Sequence, residues 1–152
     1  TSAPQVITNN SSRRFADLVV DRQNQRLIVV CEEHNDGQEP ENYLASIALN
    51  SQTPAIEKFV SGADFYAYPR ISPDQSQLCW IEWRHPNMPW DATQLWQATI
   101  SNGYLIEKQR VAGGDNNQAI FQPHWSPNNT LYYVSDITNW WNIHRKFCVV
   151  GN

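Results

Sequence analysis

Residues 68–81 read YPRISPDQSQLCWI, and residues 122–134 repeat the same pattern as QPHWSPNNTLYYV. The serines that open the shared Ser-Pro turn, Ser72 and Ser126, stand 54 positions apart. A more divergent copy, FADLVVDRQNQRLIVV, covers residues 15–30 and places Leu27 51 positions before Leu78. Self-similarity at a nearly constant period of this length indicates a protein built from repeated supersecondary units.

Each copy has the pattern of a strand, a tight turn and a second strand. Pro73 presets φ for a turn, and Asp74 can hydrogen-bond to its own backbone. The run that follows, 78–83, is rich in large apolar and aromatic side chains that suit a pleated sheet. Two later stretches, 43–49 and 94–100, alternate apolar and polar residues as half-buried strands do.

A last strand of each unit is predicted around 56–60 and 105–111. Four strands in roughly 50 residues make up one blade of a β-propeller. The chain has nine prolines and no capped stretch of helical period, so little or no helix is expected.

The predicted fold is therefore all-β, a partial β-propeller with about three blades of up to four antiparallel strands. We expect residues 1–12 to form a flexible N-terminal tail. The predicted blades span 13–61, 62–114 and 115–152, and the third is expected to be incomplete.

Composition restricts the class of protein. Of 152 residues, 41% are hydrophobic and 17% charged, with seven Trp, six Tyr and five Phe, which favours a globular domain over a disordered chain or a coiled coil. The net charge of −4 argues against a nucleic-acid partner.

The longest apolar runs, such as 27–31 and 147–150, are far below the roughly 20 residues that span a bilayer, so no membrane partner is expected. Because residues 1–12 do not resemble a secretory signal and the chain starts at Thr1, upstream residues are expected to have been removed.

The three cysteines show no CxxC spacing; they are Cys31, Cys79 and Cys148. We interpret them as buried thiols in strands rather than as a disulfide or a reactive thiol, which favours a reducing compartment, the cytoplasm. The four histidines also lack metal-ligand spacing; they are His34, His85, His124 and His144. They are interpreted as surface or turn residues, and neither a metal nor a cofactor is predicted.

Three segments resemble a known family: 64–74 (DFYAYPRISPD), the loop 82–91 (EWRHPNMPWD), which is followed by Leu95 and Trp96, and 120–127 (IFQPHWSP). They are similar to the propeller domain of bacterial prolyl-oligopeptidase-type serine peptidases, in the acylaminoacyl-peptidase and dipeptidyl-aminopeptidase branch. The Ser-Pro-Asp turn also recurs in TolB-like propellers, whereas the loop 82–91 is more specific.

The resemblance implies a propeller that lies over an α/β-hydrolase domain with a Ser-Asp-His triad and restricts which peptides reach it. None of the six glycines begins a G-x-S-x-G nucleophile elbow. The expectation is thus a segment without the catalytic domain, which filters and orients oligopeptides. The alternative is a stand-alone propeller-type module that binds a protein or peptide. In either case, open blade edges are expected to promote self-association.

The loop 82–91 is the candidate substrate-facing element, because two prolines stiffen it and it carries aromatic and charged groups. Its candidate residues are Glu82, Trp83, Arg84, His85, Trp90 and Asp91. Packing against its own blade is the alternative role for this loop, since tryptophans also fill the space between blades. A paired-carboxylate glycosidase site at Glu82 and Asp91 is disfavoured by the resemblance.

Two acidic residues and three tryptophans outside this loop are also assigned roles. Glu32 and Glu33, at an acidic hairpin tip, are possible ligands for a substrate amino group, although a solvated loop is the alternative. Trp125, Trp140 and Trp141 are predicted to lie in the core between blades. The resemblance also shows a departure, since Gln75 and Asn129 occupy the turn position where the family usually has glycine; Gln75 is expected to be strained there.

Overall fold

A computed structural model describes residues 2–114 and 117–146 of the chain. These residues form three antiparallel sheets and no helix, so the all-β partial-propeller fold is confirmed. Within these two ranges, no helix has the length and apolar character needed to cross a membrane. The strands are β1 (Arg13–Asp21), β2 (Arg26–Glu33), β3 (Glu41–Ala48), β4 (Ile56–Val60), β5 (Phe65–Ile71), β6 (Gln77–Trp83), β7 (Gln94–Ser101), β8 (Tyr104–Gly113), β9 (Ile120–Trp125), β10 (Leu131–Ser135) and β11 (Asn142–Lys146).

The three sheets follow the chain as successive blades. Strands β1–β4 form the first sheet in sequence order, β5–β8 the second, and β9–β11 the third. The first strands of successive blades contact one another, β1 with β5 and β5 with β9. The blades therefore stack side by side around their first strands, as in a propeller.

Strand β6 is buried on both faces. Leu78 and Trp80 belong to the core between the first and second blades, whereas Cys79 and Ile81 belong to the core between the second and third. Side chains alternate across a strand, so neighbouring residues of β6 enter different cores. This double burial explains the uninterrupted apolar run that predicted the strand.

Two of the three cysteines are free thiols buried in strands, as predicted. Cys31 lies in β2 and Cys79 in β6, while Cys148 lies outside the described residues. Burial raises the pKa of the Cys79 thiol to about 12 and also raises the pKa of Cys31. Both thiols are therefore protonated and poorly nucleophilic near neutral pH.

A bulge recurs in the first strand of each blade. Asp17, Tyr68 and Gln122 all have positive φ, and the strand pairing shifts register beside each of them. At the first junction the Asp17 carboxylate accepts hydrogen bonds from the Tyr68 N–H at 2.7 Å and from Arg70 Nη1 at 2.9 Å. The bulge thus contributes a polar link between the first two blades.

The amide residues that replace glycine after the Ser-Pro turn also have positive φ, 63° at Gln75 and 61° at Asn129. Each side chain reaches the turn of the preceding blade. Gln75 Oε1 accepts the Arg22 N–H at 3.0 Å, and Asn129 Nδ2 donates to Asp74 Oδ2 at 2.9 Å. The strain expected at Gln75 is therefore accompanied by a bond between blades that glycine cannot make.

Replacing Gln75 tests how these two effects combine. Gln75→Ala keeps the positive φ and loses the bond to Arg22, so its free energy of unfolding should fall by about 1 kcal/mol. Gln75→Gly should be more stable than the alanine variant by about 0.5–1 kcal/mol, because relief of the left-handed backbone outweighs the entropy glycine loses. Urea unfolding measures both, with the exposed Gln38→Ala as the control. An alanine variant as stable as the unmodified chain would show that the bond contributes nothing.

The tryptophans of the third blade only partly follow the prediction. Trp125 is half-buried, and its Nε1 donates to the Arg70 carbonyl of the second blade at 3.0 Å. Trp140 and Trp141 are 79% and 52% exposed, so their predicted place in the core is wrong. The reason is that residues 136–141 form the surface connection between β10 and β11 rather than a strand.

Candidate functional site

The predicted site loop connects β6 to β7 and meets the equivalent loop of the first blade. Strand pairing ends at Glu82 opposite Gln94 in the second blade and at Glu33 opposite Glu41 in the first. The loops beyond these pairs approach each other, since His85 Nε2 lies 3.7 Å from Glu39 Oε2. One end of the blade pair therefore carries both connecting loops.

Short local bonds hold the β6–β7 loop in one shape. The Asp91 carboxylate accepts the Met88 N–H at 2.9 Å, and the Asp91 N–H donates to the Met88 carbonyl at 2.9 Å. At the start of the loop, the His85 N–H donates to Asp64 Oδ2 at 2.9 Å. Asp91 thus stabilises a turn, and Trp90 beside it is 61% exposed.

Glu82 lies beneath the loop rather than on its surface. Its side chain is only 2% exposed and accepts a hydrogen bond from Trp80 Nε1 at 3.0 Å. Two cations flank the carboxylate, Arg84 at 3.5 Å and Lys108 at 3.8 Å. Lys108 also lies over the Trp80 ring, with 5.2 Å from Nζ to the ring centroid. The buried charge is thereby paired and hydrogen-bonded, which its desolvation requires.

Aromatic packing orients the first residues of the loop. The Trp83 ring stacks on Phe65 with centroids 5.3 Å apart, and the His85 ring meets the edge of Phe65 at 4.9 Å. Offset stacking and edge contacts are the favourable arrangements for such rings. Trp83 and His85 are therefore held on the same side of the second blade.

A cleft of about 380 Å³ opens beside these residues, here named the loop cleft. It is lined by Trp83, Arg84, His85, Pro86, Asn87, Ala92, Thr93, Gln94 and Gly114. Three of the six predicted site residues border it, namely Trp83, Arg84 and His85. Gly114 has φ of 108°, and a Cβ there would lie within 2.4 Å of the Arg110 guanidinium. Only glycine fits this wall without displacing that side chain.

A second cleft of about 320 Å³ lies between the loops of the first two blades, here named the acidic cleft. Its lining is Glu32, Glu39, Pro40, Glu41, Asn42, Ala63, Asp64, Phe65 and His85. His85 is shared by both clefts. Glu39, Glu41 and Asp64 were not singled out from the sequence, because their proximity depends on contact between two blades.

The two candidate amine-binding acids lie on opposite faces of β2. Glu32 borders the acidic cleft, whereas Glu33 accepts a hydrogen bond from Tyr43 Oη at 2.8 Å and pairs with Arg13 at 3.1 Å. The bond from Tyr43, with smaller contributions from Arg13, lowers the pKa of Glu33. Of the two acids, Glu32 is thus the one placed beside a cleft.

Among the described residues, no histidine belongs to a cluster of potential metal ligands. Within residues 2–114 and 117–146, no group of three potential His, Cys, Asp or Glu ligands comes together. His34 pairs with Glu32 at the hairpin, His124 is exposed on β9, and His144 stacks on Tyr133 with centroids 5.4 Å apart.

Three solved structures resemble this chain in fold and in sequence. A puromycin-hydrolyzing peptidase of Mycobacterium tuberculosis matches with 32% identity and a TM-score of 0.80, over 89% of this chain and 22% of that chain. A puromycin hydrolase matches with 29% identity and a TM-score of 0.85, over 99% of this chain and 24% of that chain. A mutant of puromycin hydrolase complexed with PGG matches with 30% identity and a TM-score of 0.80, over 88% of this chain and 21% of that chain.

The chain spans less than a quarter of the length of these solved chains. No family model matches the chain. No curated protein matches it either. The structural matches nevertheless cover nearly all of the sheets described above and agree with the family resemblance of the sequence. In sequence and in fold, the chain is therefore similar to the propeller portion of prolyl-oligopeptidase-type peptidases.

Proposed function

We propose that this chain is the non-catalytic propeller portion of a serine-type peptidase, and that it filters and orients oligopeptides for an α/β-hydrolase domain. The loop cleft carries the proposal, because it joins a rigid loop, an aromatic wall and a cation in a volume within the usual range for ligand sites. The relationship to peptidases supports a peptide as the ligand. The buried free thiols favour the cytoplasm as its location.

The candidate residues take different roles in this proposal. Trp83 forms the apolar wall, while Arg84 and His85 supply polar contacts. Trp90 offers an exposed indole on the loop that borders the cleft, and Asp91 stabilises this loop from within. Glu82 acts from below by holding Arg84. In the neighbouring acidic cleft, Glu32, which also pairs with Arg14 and His34, would meet a substrate amino group.

Peptide titration of the 152-residue chain tests the proposal. Short unblocked peptides such as tetra-alanine should perturb the NMR signals of the Trp83 indole and the Gln94 side-chain amide, which border the loop cleft. Chromogenic aminoacyl and acyl-aminoacyl peptides should not be hydrolysed, because the chain has no nucleophile elbow. Turnover that is abolished by a mutation within this chain would overturn the non-catalytic role.

A stand-alone interaction module is the second candidate function. It is favoured by the apolar surface of the third blade, where Ile137, Trp140 and Ile143 are 57%, 79% and 77% exposed. Self-association through open blade edges stays a prediction that the same surface supports. The first blade also exposes apolar side chains, with Leu18 57% and Leu49 43% exposed, so either end blade can take part in such an association. The blade boundaries 13–61, 62–114 and 115–152 are retained as part of the proposal.

A further inference from the structure

We infer that the loop cleft binds a carboxylate of the peptide, with Arg84 as the principal recognition residue and His85 as a second donor. This inference rests on the proposed function and specifies the chemistry of its ligand. Arg84 is thereby a specificity-determining residue rather than a general polar contact.

The two neighbouring clefts differ in charge. Among the described residues, the loop cleft is lined by one guanidinium, the imidazole of His85 and the amides of Asn87 and Gln94, without a carboxylate. The acidic cleft contains four carboxylates, and His85 is its single basic residue. An anionic group of a ligand is therefore attracted to the loop cleft and repelled from the acidic one.

Arg84 has donors available for such a ligand. Its Nη2 donates to the Gly62 carbonyl at 3.1 Å, and its Nη1 lies 3.5 Å from the Glu82 carboxylate. A guanidinium carries five N–H donors in a planar fork that matches a carboxylate. Because the Arg84 side chain is 49% exposed, part of this fork faces the cleft.

The guanidinium is also held in place before a ligand arrives. Glu82 anchors it from below, and the charge of Glu82 is shared with Lys108 and the Trp80 N–H, so Arg84 is not its only partner. The Gly62 carbonyl fixes a second point of the fork. An arginine already restrained by neighbouring groups loses less entropy when it binds a carboxylate.

Calorimetric titration of the 152-residue chain with matched peptides tests the inference. Tetra-alanine with a free C-terminal carboxylate should bind about tenfold more tightly than the same peptide with a C-terminal amide, since charge-assisted bidentate bonds are the stronger kind. A third peptide, Ala-Ala-Asp-Ala-amide, carries its only carboxylate on a side chain. Preference for the first peptide would show that the bound carboxylate is the C-terminus of the peptide. Preference for the third would show that it is an acidic side chain.

Substitution of Arg84 tests whether its guanidinium causes the preference for a carboxylate. Arg84→Gln should reduce the preference for the carboxylate over the amide peptide to less than about twofold, and this ratio is the readout because a general loss of polar contacts would weaken both peptides. Arg84→Lys should retain part of the preference, because it keeps the charge without the fork. Arg22→Gln, at an exposed turn between β1 and β2, is the control and should behave as the unmodified chain. Thermal unfolding of each variant verifies that it is folded.

The outcomes separate the inference from the proposed function. Equal binding of the acid and amide peptides, or a preference that persists in Arg84→Gln, would overturn carboxylate recognition and leave peptide binding intact. Absence of binding for all three peptides would overturn both the inference and the peptide-binding role of this cleft. A preference that is lost in Arg84→Gln and kept in Arg22→Gln supports both.

Discussion

Trp80→Ala is expected to lower the free energy of unfolding by about 3–5 kcal/mol, the range for deleting a buried indole. Trp80 has no exposed surface and packs with Leu78 in the core between the first two blades. Its removal also deletes the N–H that donates a hydrogen bond to Glu82, so this buried carboxylate loses one of its hydrogen bonds. Urea denaturation followed by circular dichroism measures the loss.

Trp90→Ala is the matched control for this experiment. Trp90 is 61% exposed in the loop between β6 and β7, so its replacement should change the free energy of unfolding by less than about 0.5 kcal/mol. Peptide affinity, by contrast, should fall, because an exposed indole on the loop that borders the cleft offers contact area. If Trp90→Ala destabilises the chain as much as Trp80→Ala, the indole packs against its own blade, and Trp90 does not belong to the proposed peptide-binding site.

Asp21→Ala should cost about 3–5 kcal/mol, because it leaves the charge of Arg26 buried without its partner. Asp21 is fully buried, and one of its oxygens accepts a hydrogen bond from Arg26 Nε at 2.8 Å. Asn24 donates to the same carboxylate through its backbone N–H and its side-chain amide. Arg26 is itself only 11% exposed, so water cannot replace the lost bonds.

Glu41→Ala removes a carboxylate from a comparable pair at the surface and serves as the reference. Glu41 lies 2.7 Å from Lys58, and both side chains are nearly half exposed. Its loss should cost less than about 1 kcal/mol, and the difference from Asp21→Ala should persist in high salt. Similar losses in the two variants would show that burial adds nothing to the Asp21–Arg26 pair.

The repeat and its turns could be predicted from sequence because they depend on neighbouring residues. Pro73 and Asp74 define the turn, and the alternation within 94–100 defines a strand, each through local backbone preferences. The period between copies then predicts the sheets, since each blade repeats the same local pattern. Even the unusual Gln75 was recognisable as a departure, although its bond to Arg22 was not.

The candidate loop was recognisable for a similar reason, because two prolines and several aromatics stand out within ten residues. The sequence does not show which of these side chains face solvent. Trp83, Arg84 and His85 border the loop cleft, whereas Glu82 is turned beneath it by the alternation of β6. The same alternation separates Glu32 from Glu33.

The all-β class, the period of the blades, the turns and the burial of Cys31 and Cys79 could be predicted from the amino-acid sequence, since each follows from local pattern and side-chain polarity. Packing between the blades determines which residues of different blades meet. It brought Glu39 beside His85, joined Asp17 to Arg70, and left Trp140 on the surface. Such contacts join residues 46 to 55 positions apart along the chain, and they exist only once whole blades have packed against one another.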